Sequence, residues 1–288
     1  MRRIVTSSVR AGTFDFTVDT AGPQDGPAVL FLHGFPQSRH AWTDQLKTLG
    51  AAGLACVAPD QRGYSPGARP HDVDAYVTQA LVRDALQVMD ALGHGRFHLV
   101  GHDWGGQLAW MIAAHYAPAR VRTLSILSRP HPAAFTRAMR EDPAQSQRST
   151  HHQAFQDEDT SARLRADDMG SFRRTFAAQG VPDRTAQAYI DILSPPRALE
   201  SAIAWYRAAP SGELKPSAVP KVMQPTLYLW GDADPTVGRA AAEGTREYVE
   251  GPYRFEVIKG GSHFLSDQFP SVVSALLLEH IRQADSIP

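Results

Sequence analysis

Fully apolar runs alternate with helical patterns along most of the chain. The clearest runs are residues 28–32, 54–58 and 97–100, apolar at almost every position, as in strands buried on both faces of a parallel sheet. Helical patterns at residues 41–49 and 73–92 stand between these runs. Strands and helices that alternate in this way build a doubly wound, parallel sheet.

The alternation of strands and helices begins earlier in the chain and resumes after a long interruption. From about residue 129 to residue 220 the sequence is polar and helical, with no convincing strand. Outside this interruption, the remaining predicted elements belong to the same sheet and its helices. They are two short strands within residues 3–18, strands at 121–127, 226–230 and 253–258, and a closing helix at 271–281.

We therefore predict an α/β fold with a mostly parallel central sheet, flanked by helices and carrying an inserted helical cap. The predicted core comprises residues 1–129 and 218–288, and residues 130–217 form the insertion, called the cap segment below. No internal repeat or long linker marks a further independent domain.

The sharpest chemical signal is Gly-His-Asp-Trp-Gly-Gly at residues 101–106, between a buried strand and a helical stretch at 107–116. Its spacing is that of a nucleophile elbow, with Asp103 where serine usually stands. Glycines two positions to either side are needed because a Cβ there would collide in so tight a turn. An aspartate before a helix can also be a simple N-cap, but this context favours a nucleophile kept ionised by the helix N-terminus.

An aspartate nucleophile changes which bond can be broken. A carboxylate suits displacement at a saturated carbon, which leaves an alkyl ester on Asp103, and epoxides and alkyl halides are the natural electrophiles. Turnover then requires a base that activates water and donors for the oxyanion formed from the ester.

His263 is the predicted base, because it follows the last strand in a Gly-Gly-Ser-His turn before the final helix. The acid that orients it is expected after the preceding strand, where both Asp232 and Asp234 stand. We choose Asp234, and we expect Asp232 to cap the following turn.

The oxyanion donors are predicted to be backbone N–H groups. Residues 33–36, His-Gly-Phe-Pro, follow the third strand, where a loop amide can point toward the elbow. The N–H groups of Phe35 and Trp104 are the candidate donors, so backbone geometry matters more here than side-chain identity.

These motifs resemble the α/β-hydrolase superfamily across essentially the whole chain, and specifically its epoxide hydrolase and haloalkane dehalogenase branch, which has an aspartate nucleophile. The elbow, the His-Gly-Phe-Pro turn, the Asp-Gln-Arg-Gly-Tyr-Ser turn at residues 60–65 and Pro-His-Pro at 130–132 look most like soluble epoxide hydrolases. The resemblance implies an α/β-hydrolase fold, a helical cap over the catalytic cleft, and conversion of an epoxide and water to a vicinal diol.

The resemblance also implies two cap tyrosines that protonate the epoxide oxygen. Trp-Tyr-Arg at residues 205–207 matches the motif of the second, so Tyr206 is the predicted proton donor, with a plain core aromatic as the alternative. The first tyrosine is replaced by His151, which can donate one hydrogen bond, although His151 and His152 can equally be surface residues. We expect five residues of these motifs to line the substrate pocket: His33, Pro36, His152, Phe155 and Trp205.

Two other functions compete with epoxide hydrolysis. A haloalkane or haloacid dehalogenase would use the same nucleophile, and the Trp104 indole is one candidate halide donor. A second donor is hard to find, because Phe35 stands where related haloalkane enzymes have asparagine and Trp205 is the one cap tryptophan available. Residues 104–110 also lack the arginines with which haloacid enzymes of this fold hold the substrate carboxylate. A non-enzymatic small-molecule-binding protein of this fold is the other alternative, and the complete set of Asp103, Asp234 and His263 argues against it.

The composition of the chain disfavours nucleic acid and membranes as binding partners. The chain has 288 residues, 29 Lys plus Arg against 30 Asp plus Glu, and 43% hydrophobic residues, without a basic block for nucleic acid or anionic membranes. The single cysteine, Cys56, the absence of a secretory leader in residues 1–7 and the absence of a long apolar run indicate a cytoplasmic protein. No metal or organic cofactor is implied, and both a monomer and a homodimer are compatible with the sequence.

Overall fold

A computed structural model describes residues 3–285 of the chain; Met1, Arg2 and residues 286–288, which belong to the predicted core, lie outside the described residues. The eight strands of the sheet are, in chain order, β1 (Val5–Ala11), β2 (Phe14–Ala21), β3 (Ala28–Leu32), β4 (Ala55–Pro59), β5 (Phe97–His102), β6 (Val121–Leu127), β7 (Thr226–Gly231) and β8 (Tyr253–Ile258).

The strands form one sheet in the order β1-β2-β4-β3-β5-β6-β7-β8. β1 and β2 pair antiparallel, β2 pairs antiparallel with β4, and the other neighbours are parallel. Every residue of β3, β4, β5 and β7 is buried, because helices cover both faces of a parallel sheet. The predicted α/β fold with a mostly parallel sheet is confirmed.

Outside the cap segment, the helices predicted at residues 41–49 and 271–281 begin and end within four residues of their predicted bounds, whereas two short helices after β7 were not predicted. The helices outside the cap segment are α1 (Thr43–Ala51), α2 (Thr78–Ala91), α3 (Asp103–Met111), and, after β7, α10 (Arg239–Gly244), α11 (Leu265–Gln268) and α12 (Pro270–Asp285).

Two predicted helices differ from the structure. The pattern at residues 73–92 is divided, because Asp72 caps a short 3-10 turn at Val73–Tyr76 and Val77 is extended, so that α2 begins only at Thr78. The helix expected from residue 107 begins instead at Asp103, directly after β5, and continues beyond α3 as a π-helical turn at Ile112–Tyr116. The nucleophile position therefore belongs to the first turn of the helix.

Six helices and no strand lie within the cap segment. They are α4 (Pro132–Glu141), α5 (Pro143–Arg148), α6 (His151–Ala154), α7 (Thr160–Ala178), α8 (Asp183–Leu193) and α9 (Ala198–Ala208). α7 is interrupted between Ala166 and Met169, where three consecutive residues have positive φ. No helix within residues 3–285 is long and apolar enough to cross a bilayer.

Candidate active site

The turn from β5 into α3 projects the side chain of Asp103 from the carboxyl edge of the sheet. Asp103 has a φ of 49°, in the left-handed region that non-glycine residues seldom occupy. A Cβ on Gly101 would lie 2.5 Å from the carbonyl oxygen of Gly105, and a Cβ on Gly105 would lie 2.1 Å from that of Leu32. Only glycine fits at both positions, so the two glycines permit the strained conformation at Asp103.

The two carboxylate oxygens of Asp103 have different surroundings. Oδ1 accepts a hydrogen bond of 2.9 Å from the backbone N–H of Phe35. The loop can approach this closely because Gly34 lacks a side chain: a Cβ there would lie 2.4 Å from the Cβ of Asp103. Oδ2 faces the imidazole of His263, whose Nε2 lies 3.6 Å away. One oxygen is thus held by a backbone donor, and the other faces a basic side chain.

A second carboxylate holds the other side of the His263 ring. Nδ1 of His263 lies 2.8 Å from Oδ2 of Asp234, and Oδ1 of Asp234 accepts hydrogen bonds from the backbone N–H groups of Thr236 and Val237. Asp232 lies apart from this contact, because its Oδ1 accepts a 2.6 Å bond from the amide of Gly260. Asp103, His263 and Asp234 therefore lie in line, with a hydrogen bond between His263 and Asp234 and a 3.6 Å contact between His263 and Asp103.

These groups are buried, which strengthens their mutual electrostatic effects. Burial by itself would lower the pKa of His263, but Asp234 and Asp103 outweigh burial and raise it to about 10. Burial likewise opposes ionisation of Asp103, yet the neighbouring imidazole of His263 holds the pKa of Asp103 well below its ordinary value. Asp103 is a carboxylate at neutral pH, and His263 is protonated while both carboxylates are charged.

A cavity of about 240 Å³ opens above Asp103, between the core and the cap segment. Most of its exposed wall is apolar or aromatic. The lining residues are Phe35, Pro36, Asp103, His151, Phe155, Leu164, Ser171, Phe172, Thr175, Gln179, Tyr206, Thr236, His263 and Phe264. A cavity of this size and lining suits a small, mostly apolar ligand.

Tyr206 lies on the cap side of this cavity and is almost completely buried among aromatic rings. Its ring centroid is 5.0 Å from that of Trp104, 5.5 Å from Phe35 and 4.7 Å from Phe155, each in an edge-to-face arrangement. Burial raises the pKa of Tyr206 well above its ordinary value, and the charge of Asp103 raises it further. The phenol therefore remains protonated over the physiological pH range.

The two cap histidines are placed differently from each other. His151 lines the cavity, with its ring centroid 6.2 Å from that of Tyr206. Burial lowers the pKa of His151, and burial lowers that of His152 to about 3, so both rings are neutral at pH 7. A neutral imidazole has one N–H, so the His151 ring can donate a single hydrogen bond.

Three of the five residues expected to line the pocket are not among the residues that line the cavity. The Nε2 atom of His33 accepts a hydrogen bond from the amide of Gln61, which directs this ring into the core. The ring of Trp205 is likewise directed into the core, because its Nε1–H donates a hydrogen bond to the carbonyl of Arg62. His152 packs behind Tyr206, with ring centroids 5.4 Å apart. Pro36 and Phe155 do line the cavity.

Cap residues that the sequence analysis did not single out contact both loops of the site. Gln179 Oε1 accepts a 3.3 Å hydrogen bond from the amide of His263, and the Gln179 carbonyl accepts one of 2.8 Å from the hydroxyl of Ser262. Arg148 donates to the carbonyl of Asp234 at 2.9 Å. These contacts join residues far apart in the chain, so no local sequence pattern indicates them.

His102, the residue before the nucleophile, was also missed. Its Nε2 lies 2.8 Å from the carbonyl oxygen of His263. Burial lowers the pKa of His102 to about 4, so the ring is neutral and its one N–H donates a hydrogen bond to that carbonyl. The elbow and the loop that carries the base are thereby joined directly.

The sheet order, the elbow and the inserted helices define an α/β-hydrolase fold. The sequence profile of the alpha/beta hydrolase fold family matches residues 27–270, and the chain belongs to this family.

Several relatives of the chain are epoxide hydrolases by name. Epoxide hydrolase 4 of Mus musculus is 32% identical over 273 residues, which cover 91% of this chain and 75% of the relative. Epoxide hydrolase A of Mycobacterium tuberculosis is 30% identical, with 97% of this chain and 96% of the relative covered. A crystal structure of the Bacillus megaterium epoxide hydrolase with an inhibitor superimposes with a TM-score of 0.87 at 25% identity, covering 96% of this chain and all of that one.

Proposed function

We propose that this protein is an epoxide hydrolase that forms a covalent ester on Asp103 and releases a vicinal diol. The observation that carries the proposal is the position of the Asp103 carboxylate, held by the Phe35 amide on one oxygen and facing His263 on the other. The relatives named above support the substrate class, and the apolar cavity supports a small organic substrate.

In the first step, Oδ2 of Asp103 attacks an epoxide carbon, because Oδ1 is occupied by the Phe35 amide. The carbon–oxygen bond of the ring breaks as the bond to Oδ2 forms. Tyr206 donates its phenolic proton to the departing oxygen, which becomes a hydroxyl group, and the negative charge passes to the phenolate. Tyr206 is suited to this role because it lies in the cavity and is protonated at neutral pH.

In the second step, water hydrolyses the ester. Esterification removes the charge of Asp103, one of the two carboxylates that keep His263 protonated, so His263 gives up its Nε2 proton, which returns through solvent to the Tyr206 phenolate. The neutral imidazole then takes a proton from water as the water oxygen bonds to the ester carbonyl carbon. The bond from that carbon to the diol oxygen breaks, the departing oxygen takes the proton from His263, and the carboxyl group of Asp103 returns its own proton to His263. Asp234 holds the ring with Nδ1–H toward the carboxylate and Nε2 toward the ester. The oxyanion forms on Oδ1, where the Phe35 N–H already donates, with the Trp104 N–H as the proposed second donor.

The cap segment, residues 130–217, is proposed to close the catalytic cleft and supply the proton donor. Epoxide and water are the proposed substrates, with His151 as an optional second contact to the epoxide oxygen. A cytoplasmic location is likewise a proposal, based on the single cysteine and the composition.

The test is the intact mass of a His263→Gln variant after incubation with a terminal epoxide. Without the base the ester should accumulate, so we expect a mass gain equal to the whole epoxide. The matched control, Asp103→Asn in the same background, should gain nothing, and the wild type should release diol.

Two results would contradict the proposal. An adduct that forms only with an alkyl bromide, and that lacks bromine, would indicate a dehalogenase. No adduct from either reagent, together with saturable binding of the epoxide, would indicate a binding protein.

A further inference from the structure

Arg129 is a buried guanidinium group next to the nucleophile elbow. It follows β6, which pairs with β5, and only 8% of it is exposed. Its Nε and Nη2 atoms donate to a single neutral acceptor, Oε1 of Gln107, at 3.2 and 2.9 Å. A Cβ on Gly106 would lie 2.8 Å from the Cβ of Arg129, so this side chain packs directly against the first turn of α3.

Two other arginines with little exposed surface have carboxylate partners. Arg62, which is equally buried, donates to both oxygens of Asp84 at 2.6 Å, and the partly buried Arg39 pairs with Asp60. Within residues 3–285, Arg129 has no such ion pair. A buried cation that lacks a paired anion is costly, so its positive charge requires a different source of compensation.

Asp103 supplies part of this compensation, because burial lowers the pKa of Arg129 and the charge of Asp103 acts against that effect. The guanidinium carbon of Arg129 lies 4.5 Å from the ring centroid of Phe135, whose ring is 6.1 Å from His152, and His152 in turn is 5.4 Å from Tyr206. Two rings, those of Phe135 and His152, therefore lie between Arg129 and the proposed proton donor. Its charge also favours the ionised form of Asp103.

This proximity matters because the proposed ring opening moves one negative charge. The charge starts on the Asp103 carboxylate and ends on the Tyr206 phenolate, while the proton of Tyr206 goes to the epoxide oxygen. A fixed cation near both positions stabilises the charge throughout this transfer, without reorganisation during the reaction. Packing against Gly106 and Phe135 holds the guanidinium in place.

We propose that Arg129 is a positioning residue for ring opening, whose fixed charge stabilises the negative charge as it passes from Asp103 to Tyr206. The inference rests on the proposed function. It assigns to Arg129 an effect on the formation of the ester rather than on the binding of the epoxide.

The test compares Arg129→Met, which removes the charge, with Arg129→Lys, which keeps it, in the His263→Gln background where the ester accumulates. Gln107→Met is the matched control, since it removes the hydrogen-bond acceptor of Arg129 and leaves the charge. We expect the rate constant of ester formation at saturating epoxide to fall at least about 10-fold in Arg129→Met. Arg129→Lys and Gln107→Met should stay within about 3-fold of the parent.

A second readout is independent of epoxide chemistry. The charge of Arg129 adds to burial in holding the pKa of His152 low. Histidine signals followed by NMR should therefore show His152 titrating at higher pH in Arg129→Met and at an unchanged pH in Arg129→Lys.

Three results would overturn the inference. They are ester formation in Arg129→Met within 3-fold of the parent, an Arg129→Lys variant as slow as Arg129→Met, and a loss confined to epoxides that carry a carboxylate. The last would make Arg129 a substrate-binding residue. If the His263→Gln parent forms no ester, the proposed function is wrong and this inference is wrong with it. If the parent forms the ester and Arg129→Met forms it equally fast, only this inference is wrong.

Discussion

Nε2 of His263 lies 3.6 Å from Oδ2 of Asp103 while its Nδ1 lies 2.8 Å from Oδ2 of Asp234. The ring is thus enclosed by two carboxylates, which together outweigh its burial and raise its pKa to about 10. Esterification of one carboxylate leaves the other in place. His263 can therefore be protonated before ring opening and, once the ester has formed, lose its proton and act as a base.

Asp103→Asn should lower the pKa of His263, because the amide imitates the uncharged ester. In the wild type the folded pKa lies above the unfolded value of about 6.5. The stabilisation from this pairing is therefore complete below pH 6.5 and is lost as the pH rises through about 10. Histidine titration by NMR is the measurement, and an unchanged pKa in Asp103→Asn would contradict the proposed change of role.

Asp234→Asn should slow hydrolysis of the ester by at least about 100-fold, because an amide no longer favours the tautomer with Nδ1–H and no longer stabilises the imidazolium. Asp232→Asn is the matched control. Its side-chain oxygen can still accept the Gly260 amide bond, so hydrolysis should stay within about 3-fold. The decay of the ester in a single turnover measures both, and equal losses would indicate that the two carboxylates only support the loop.

Tyr206→Phe should reduce ring opening by at least about 100-fold, since it removes the proposed general acid. His151→Phe should cost less than about 10-fold, because burial lowers the pKa of His151 and a neutral imidazole is a much weaker proton donor than a phenol. Single-turnover formation of the ester separates ring opening from hydrolysis. A larger loss in His151→Phe would make His151 the principal proton donor.

Gln179→Leu should slow hydrolysis of the ester by about 5- to 10-fold and slow ring opening less, because it removes the side-chain acceptor for the His263 amide. Gln187→Leu provides a control in the same cap segment, since Gln187 is hydrogen-bonded to Arg173 and Asp191 at the exposed surface. Equal slowing of both steps in Gln179→Leu would point to a general loss of cap structure.

Gly105→Ala should destabilise the fold by about 2 kcal/mol or more, because the new Cβ would lie 2.1 Å from the carbonyl oxygen of Leu32. Gly95→Ala is the control, since nothing lies within 4 Å of a Cβ at that position. Thermal unfolding of the two variants gives the comparison. A normal melting temperature in Gly105→Ala would show that the elbow can relax.

Much of the architecture is encoded locally. The apolar runs that become β3, β5 and β7 specify buried strands, because a strand covered on both faces needs apolar residues at almost every position. The elbow is equally local: Gly101 and Gly105 leave space for a strained Asp103, and that pattern is visible in six consecutive residues. Chain order alone then placed His263 after the last strand.

Only the tertiary structure decided which distant side chains meet. It brings Asp234 rather than Asp232 against His263, and it turns Trp205 toward the carbonyl of Arg62 and away from the cavity. Periodicity reports burial and backbone conformation, but a buried ring has the same periodicity whichever way its polar edge points. The sequence by itself therefore determined the elements and the kind of nucleophile, while long-range hydrogen bonds and packing decided the orientation of the residues around it.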